Sequence, residues 1–259
     1  MNLQVVEALI ESKKWYHGFE ILPGIFTPGK SKQNSSKILN SLNIPADLSN
    51  LNALDIGTWD GPMALELSHR GATVTASDIQ DPELTAFNLM KELTQKDIEY
   101  IQSSVYDLPK KIEKRFDLIT FQGVFYHLKN PSLGFDSISA LLKKNGKVLI
   151  EGEILSHYAE DLNGKAISSE EAKSIGKSEV PLIEFCPGKF KGMSNWSIPN
   201  FAALKVMLTT AGLEIEDYYF FGQEQTQVEN HQRIFITAKK VQDPMSVSYT
   251  HLRAHETRH

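Results

Sequence analysis

The segment from Leu51 to Asp81 constrains the fold more than any other part of the chain. Leu51–Ile56 is a short apolar run, which suits a strand buried on both faces. A turn between two glycines follows, and Pro62 then opens a helix at a position where its missing N–H does no harm. Ala72–Ser77 is a second strand, and Asp78 comes directly after it. This order is typical of the nucleotide-binding half of a doubly wound α/β sheet.

The turn itself indicates which nucleotide fits. A dinucleotide fingerprint needs three glycines, but only Gly57 and Gly61 are present and Trp59 fills the middle position. A pyrophosphate would be crowded there, whereas S-adenosylmethionine (SAM) carries no phosphate. We therefore predict a SAM site, with Asp55 near the ammonium or sulfonium of the cofactor and Asp78 on its ribose hydroxyls. An α/β turn without a ligand is the alternative.

Strands and helices alternate from Leu51 to Gly152, which predicts a parallel sheet. We expect an α/β fold with a doubly wound, seven-stranded, mostly parallel Rossmann-like sheet, helices on both faces and an antiparallel last strand. The other predicted strands are Ile98–Gln102, Phe116–Gln122, Lys147–Gly152, Leu213–Gly222 and Arg233–Lys239. The predicted helices are Asn2–Lys14, Ser35–Leu42, Pro62–Arg70, Pro82–Thr94, Pro131–Lys143, Ser168–Lys177 and Ile198–Ala211.

The pattern divides the chain into three parts. Residues 1–48 are predicted to hold N-terminal helices and a lid loop, and residues 49–240 the main domain, with an insertion near the site at 154–197. Residues 241–259 are predicted to be a tail. Its last part, Ser246–His259, lacks any helical or strand period and resembles translated sequencing-adapter DNA. A His-rich metal-binding tail is the alternative.

Composition narrows the class of protein. The chain has 259 residues, and its net charge of −5 argues against broad, phosphate-driven binding of nucleic acid. The single Cys186 excludes an intrachain disulfide and a cysteine-based zinc cluster, and no other grouping indicates a metal. There is no signal peptide and no run long enough to span a bilayer, so we expect a cytoplasmic protein without a membrane partner. The oligomeric state is left open.

Further candidate site residues follow the later strands. Ser104 and Val105 come after the third strand, where an adenine would lie, and Gln122-Gly123 end the fourth strand. A few residues later, Tyr126 and His127 are placed to line the same crevice. For His127 the alternative is a structural histidine.

The candidate bases for a proton-bearing acceptor are His17, His127 and Glu153. Of Glu151 and Glu153, which face the same side of a strand, we expect only one to reach the site. The candidate lids are the loop with Trp15 and Tyr16 and the pair Asn195-Trp196. Their aromatic rings either stack on a planar acceptor or pack the loop onto the sheet.

Together, these segments resemble the class I SAM-dependent methyltransferases over roughly Leu51–Lys239. The resemblance implies SAM as cofactor. It also implies that Asp55, Gly57 and Gly61 would contact the methionine part, Asp78 the ribose, Ser104 and Val105 the adenine, and Gln122 the amino end. The neighbouring Trp59, Ile79 and Gly123 are further candidates for cofactor binding.

A closer resemblance rests on WYHGFEILPGIFTPG, DIGTWDGPMALEL, GVFYHLKNP and NWSIPN. These stretches look like the bacterial tRNA mo5U34 methyltransferase-like group, which is related to the enzyme that carboxymethylates the wobble uridine of tRNA with carboxy-SAM. The tyrosine that grips the carboxylate there matches Tyr126, and its arginine has a candidate counterpart in Arg233. His17 stands in place of the gripping lysine, which removes a fixed positive charge and favours plain SAM.

The predicted function is therefore methyl transfer from SAM to a small-molecule or modified-nucleoside acceptor. The first alternative is a tRNA wobble-uridine carboxymethyltransferase that uses carboxy-SAM. The second is a SAM-binding module without catalysis.

Overall fold

The fold is built on one seven-stranded sheet. The computed structural model of the protein describes residues 2–156, 158–159, 161, 165–186, 195–221 and 232–245. The strands of the sheet are β1 (Asn52–Ile56), β2 (Thr73–Asp78), β3 (Glu99–Gln102), β4 (Phe116–Gln122), β5 (Leu142–Ile154), β6 (Leu213–Phe221) and β7 (Gln232–Lys240).

The strands lie in the order β6-β7-β5-β4-β1-β2-β3. Strands β1 to β5 pair in parallel, and β7 runs antiparallel to both β5 and β6. The predicted fold class is thus confirmed, including the antiparallel last strand. Because the chain crosses over between β1 and β4, the crevice at their carboxyl ends is where an open α/β sheet binds its ligand.

Helices cover both faces of the sheet. Four of them, α1 to α4, share a buried apolar cluster with one face, and α5, α6 and α8 share another with the opposite face. The helices are α1 (Leu3–Glu11), α2 (Ser35–Ser41), α3 (Pro62–His69), α4 (Phe87–Thr94), α5 (Leu108–Lys111), α6 (Pro131–Leu141), α7 (Ser169–Gly176) and α8 (Phe201–Thr210).

The segment between α1 and α2 is an ordered loop with short strands, as its glycines, prolines and aromatics predict. His17–Gly18 pairs in parallel with Ser31–Lys32, and Glu20–Leu22 forms a hairpin with Ile25–Phe26. Trp15 and other apolar residues of this segment are buried in the same cluster as α3 and α4. The N-terminal segment therefore packs directly on the sheet domain.

Several boundaries differ from the predicted ones. α4 begins at Phe87 rather than Pro82, because Ala86 adopts a left-handed conformation and interrupts the helix. α8 begins at Phe201 rather than Ile198, because Ser197–Pro199 is a strand that pairs with Ile183–Phe185. β5 extends beyond the predicted Lys147–Gly152 at both ends.

Part of the predicted organisation lies outside the described residues, namely Ser246–His259 and several positions of the 154–197 insertion. Within the insertion, the predicted helix at Ser168–Lys177 is present as α7. No helix in the described part of the chain combines the length and the apolarity that crossing a membrane requires.

Arg70, at the end of α3, links the N-terminal segment to the sheet domain. Its guanidinium donates to the carbonyl of Ile44 (3.0 Å), to the carbonyl of Ser36 (3.1 Å) and to Asn40 Oδ1 (2.8 Å). It also contacts Glu66 at 2.8 Å, and the residue is only 8% exposed. The loop before β1 is therefore held by one buried charged side chain.

We expect Arg70→Ala to lower the free energy of unfolding by about 3 kcal/mol, because it leaves several buried acceptors without a donor. Urea denaturation followed by circular dichroism measures this. Arg115→Ala is the matched control, because exposed Arg115 donates only to carbonyls within three residues of itself. Equal losses in the two variants would contradict this role for Arg70.

Candidate functional site

The turn after β1 requires glycine at both ends. Gly57 has φ +78°, and a Cβ on it would lie 2.3 Å from Val124 Cγ2. Gly61 has φ +89° at the N-cap of α3, where a Cβ would lie 2.4 Å from Met90 Cε. Between them, Trp59 also takes a positive φ of 49°, which is strained for a residue with a side chain. Neighbouring side chains therefore leave no room for a side chain at either glycine. The Trp59 side chain is partly exposed.

Asp78, at the end of β2, lies directly against this turn. Its Oδ2 accepts from the Trp59 N–H at 3.0 Å, and its Oδ1 accepts from the Gln80 N–H at 3.0 Å. Ile79 beside it is largely exposed. Asp78, the residue predicted to bind the ribose, and the predicted turn therefore lie together at one edge of the sheet.

Two polar side chains at the same edge each have one buried atom without a hydrogen-bond partner among the described residues. Asp55 is buried, and its Oδ1 accepts from the Thr120 hydroxyl at 2.6 Å, while Oδ2 has no partner among the described residues. Burial raises the pKa of Asp55 above its ordinary value, and the Thr120 and Thr58 hydroxyls and the Ala64 backbone only partly oppose this. Gln122 Nε2 is likewise buried without a hydrogen-bond partner in the described part of the chain.

The predicted adenine residues lie beside the next strand. The Ser103 N–H donates to the carbonyl of Asp78 at 2.8 Å, which joins the ends of β3 and β2. Ser104 Oγ accepts from the Tyr106 N–H at 3.3 Å, and Val105 is buried next to it. Both therefore follow β3 at the edge that carries Asp78.

Asp60, which was not among the predicted residues, connects the turn to the N-terminal segment. Its side chain is fully buried, and its Oδ2 accepts from the N–H groups of Tyr16 and His17, each at 2.8 Å. Its Oδ1 is in close contact with His17 Nδ1. The structure thus brings His17, 43 residues earlier in the chain, next to the turn.

A second cluster forms where β5 ends and β7 begins. We name it the arginine cluster, and it consists of Arg233, Glu151, Glu153, Tyr126 and Asn195. Arg233 contacts Glu151 through Nε and through Nη2 (2.9 Å to Oε2), and its Nη1 lies 3.5 Å from Glu153 Oε1. Its Nη2 also lies 3.3 Å from Tyr126 Oη, and Asn195 Nδ2 donates to Glu153 Oε2 at 3.2 Å.

The charges of this cluster are tightly coupled. Burial raises the pKa of Tyr126 to about 12, so this phenol stays neutral at physiological pH. Burial alone would lower the pKa of Arg233, but the hydrogen bond and charge of Glu151 outweigh it and raise that pKa. Both glutamates, of which only one was expected to reach the site, lie within ion-pair distance of Arg233.

The remaining predicted residues divide between surface and core. Trp15 is buried, donates to the carbonyl of Ile10 at 2.8 Å and packs against Phe19, so it belongs to the core rather than to a lid. Tyr16 is exposed, with its ring 5.7 Å from that of Trp59. His127 ends a short 3₁₀ helix, with its ring 4.3 Å from that of Tyr126.

Trp196, the other predicted lid aromatic, lies beside the arginine cluster. Its main-chain N–H donates to the carbonyl of Tyr126 at 2.8 Å, and Lys129 Nζ lies 4.1 Å from the centre of its ring. Its neighbour Asn195 is fully buried. This segment therefore packs on the 3₁₀ helix that carries Tyr126.

Residues 54–150 match the family model described as "Methyltransferase domain". This part of the chain is similar to a methyltransferase domain. The N-terminal domain of EvdMO1, solved with S-adenosylhomocysteine bound, superposes with a TM-score of 0.63 at 15% identity, covering 93% of this chain and 98% of that one. Together with the strand order, these findings confirm the predicted resemblance to the class I SAM-dependent methyltransferases.

Two curated relatives differ in what they act on. A ubiquinone biosynthesis O-methyltransferase of Pseudomonas syringae is 27% identical over 42% of this chain and 47% of its own length. A tRNA U34 carboxymethyltransferase of Nautilia profundicola is 25% identical over 72% of this chain and 55% of its own length. The chain thus spans about half the length of these relatives.

Replacement of Asp55 tests whether its buried charge lowers the stability of the folded protein. An acid whose pKa is raised in the folded state destabilises the protein once the pH exceeds both its folded and unfolded pKa values. We therefore expect Asp55→Asn to raise the melting temperature at pH 7, and this gain to shrink as the pH falls and Asp55 takes up its proton. Calorimetric melting at several pH values measures both effects.

Asp117→Asn is the matched control, because Asp117 is an acid on the neighbouring β4 whose pKa is lowered by its bond to Lys143. Its replacement should destabilise the protein at neutral pH. A melting temperature that Asp55→Asn lowers at pH 7 would contradict the account of Asp55.

Proposed function

We propose that this protein is a SAM-dependent methyltransferase that acts on a small-molecule or modified-nucleoside acceptor. The observation that carries the proposal is the closed turn with Asp78 bonded to its backbone at the crossover point of the sheet. Because the matches cover only about half the length of each relative, activity and acceptor rest on this site rather than on the relatives' names.

The residues at the crevice fit the cofactor. The glycine turn allows close approach of a ligand, and the unpartnered Asp55 Oδ2 and Gln122 Nε2 are a buried acceptor and donor that a polar ligand would satisfy. We assign Asp78 and Ile79 to the ribose, Ser104 and Val105 to the adenine, and Gln122 and Gly123, with Asp55 and the Gly57–Gly61 turn, to the methionine part.

The bound cofactor supplies an electrophilic methyl group on its sulfonium. The chain must then position the acceptor and exclude water, and orientation of this kind is worth roughly 7–11 kcal/mol of the barrier. Tyr16 and Trp59, both exposed at the turn, are the side chains we assign to stacking on a planar acceptor. The chain's net charge of −5 favours a small acceptor over a tRNA.

Carboxymethyl transfer to tRNA is the second candidate. It is favoured by the similarity to the Nautilia profundicola enzyme over 72% of this chain and by the contact between Tyr126 and Arg233. Titration of the protein with SAM and carboxy-SAM side by side separates the two candidates. A SAM-binding module without catalysis would bind cofactor but methylate nothing in a metabolite and RNA screen.

We expect Asp78→Ala to weaken SAM binding by about 3 kcal/mol, roughly 100-fold, because hydrogen bonds from a carboxylate to a ligand are lost. Isothermal titration calorimetry measures the affinity, and circular dichroism checks that the fold survives the loss of the turn contacts. The control is Asp81→Ala, since exposed Asp81 accepts the Glu83 N–H in a similar local bond. Unchanged SAM affinity in Asp78→Ala would refute the cofactor assignment.

His17 is the base that the geometry favours. A carboxylate only accepts hydrogen bonds, so the contact with Asp60 requires the proton of a neutral His17 to be on Nδ1. Nε2 then keeps a lone pair with which to take a proton from the acceptor. His127 and Glu153 remain candidates, but the contacts of Glu153 with Arg233 and Asn195 satisfy its carboxylate.

We predict that neutral His17 is protonated at Nδ1, and that Asp60→Asn shifts it toward the Nε2-protonated form, because an amide no longer demands a donor. Long-range ¹H–¹⁵N NMR at alkaline pH measures the tautomer. The exposed-face histidine of α3, His69, serves as an internal control whose spectrum should not change. An Nε2-protonated His17 in the unaltered protein would contradict this assignment.

A further inference from the structure

A cavity of about 570 Å³ lies over the half of the sheet that β5, β7 and β6 form. The end of β5, the start of β7 and the end of β6 line it, and α7 and the first turns of α8 form its other walls. The residues assigned to the cofactor follow β1, β2, β3 and β4, and none of them lines this cavity. Its volume is within the range of small-molecule sites, so it is a candidate for a second ligand.

One wall of the cavity is aromatic and aliphatic. The Phe201 ring of α8 lies 5.8 Å from that of Phe220 and 4.5 Å from that of Tyr218, both on β6. Phe220 is 44% exposed and Val206 48%, although both are large and apolar, and Ile154 adds buried aliphatic surface. A ligand with an apolar body would remove part of this aromatic surface from water, which is favourable.

The charged side chains of the cavity are mostly basic. Its described lining includes Lys173 on α7, Lys177 directly after α7 and Lys205 on α8, against one acid, Glu179. Among the described residues, no carboxylate lies within ion-pair distance of Lys173 or Lys205. The Lys205 Nζ lies 4.7 Å from the centre of the Phe201 ring, so an ammonium group stands beside the aromatic wall. This local excess of positive charge contrasts with the net charge of −5 of the whole chain.

We propose that this cavity binds a small amphipathic anion, with its apolar body against Phe201 and Phe220 and its carboxylate near Lys173 and Lys205. Charge complementarity selects the anion, because a neutral compound would gain only from the apolar wall and a cation would be repelled by the lysines. The walls on several sides fit a small molecule better than a flat macromolecular surface. The site is separate from the cofactor crevice and does not depend on the proposed function.

The test is a ¹H–¹⁵N NMR titration of the full chain with three probes that share one apolar body: phenylbutyrate, phenylbutanol and phenylbutylamine. We expect phenylbutyrate to shift the amide signals of Gly176, Ala202 and Phe220, which line the cavity. It should bind at least about threefold more tightly than phenylbutanol, because its carboxylate gains from two partly exposed lysines. Phenylbutylamine should bind most weakly.

Lys173→Gln with Lys205→Gln should remove the preference for phenylbutyrate and leave the affinity for phenylbutanol unchanged, because the aromatic wall is intact. Lys37→Gln is the matched control, since Lys37 is an exposed lysine on α2, which packs on the opposite face of the sheet. It should keep the full preference. Should the double variant fail to fold, Lys205→Gln alone still reports on the charge, because Lys205 is exposed.

Several results would overturn the inference. These are no binding of phenylbutyrate, shifts confined to residues outside the cavity, equal affinity for the three probes, or a preference that the double variant retains. Shifts of the same amides with protein concentration alone would assign the cavity to a second copy of the chain instead. SAM titration is a separate measurement, so failure of either proposal leaves the other standing.

Discussion

The contact on which the site depends is the one between Asp60 and the N-terminal segment. A fully buried carboxylate is tolerated only where donors surround it, and here two backbone N–H groups and the His17 ring do so. On the other side, the Trp59 N–H is held by Asp78. The turn is thus fixed from both sides, which stabilises the positive φ of Trp59 and joins the proposed base to the proposed cofactor site.

Local patterns in the sequence were enough to predict the sheet. The alternation of strands and helices, the glycine turn and Pro62 gave the right elements, and β4 was predicted to the residue, because these signals lie within one element and its caps. The errors arose where contacts between residues far apart in the sequence determine the secondary structure. Ile198 was predicted to begin a helix, yet it lies in a strand because it pairs with Glu184 across the insertion.

The residues of the candidate site were likewise predictable only where local patterns position them. The strand-end residues Asp78 and Ser104 were predictable, because parallel strands bring their carboxyl ends to one edge. The contacts of Asp60 with His17, and of Arg233 with Glu151 82 residues earlier, depend on how the N-terminal loop and the antiparallel strand dock. No periodicity in the sequence encodes those contacts. An acidic residue inside the turn was the only signal that could have pointed to Asp60.

Shared fold and local charge carry different information about the reaction. The strand order and the turn are common to proteins that use one kind of cofactor, so they narrow the donor but not the group transferred. Among the charged side chains near the carboxyl end of β5, Arg233 lies within ion-pair distance of both Glu151 and Glu153. An anion gains affinity from a guanidinium only when the guanidinium is free to turn toward it. In this protein Arg233 is already paired with Glu151 through Nε and Nη2.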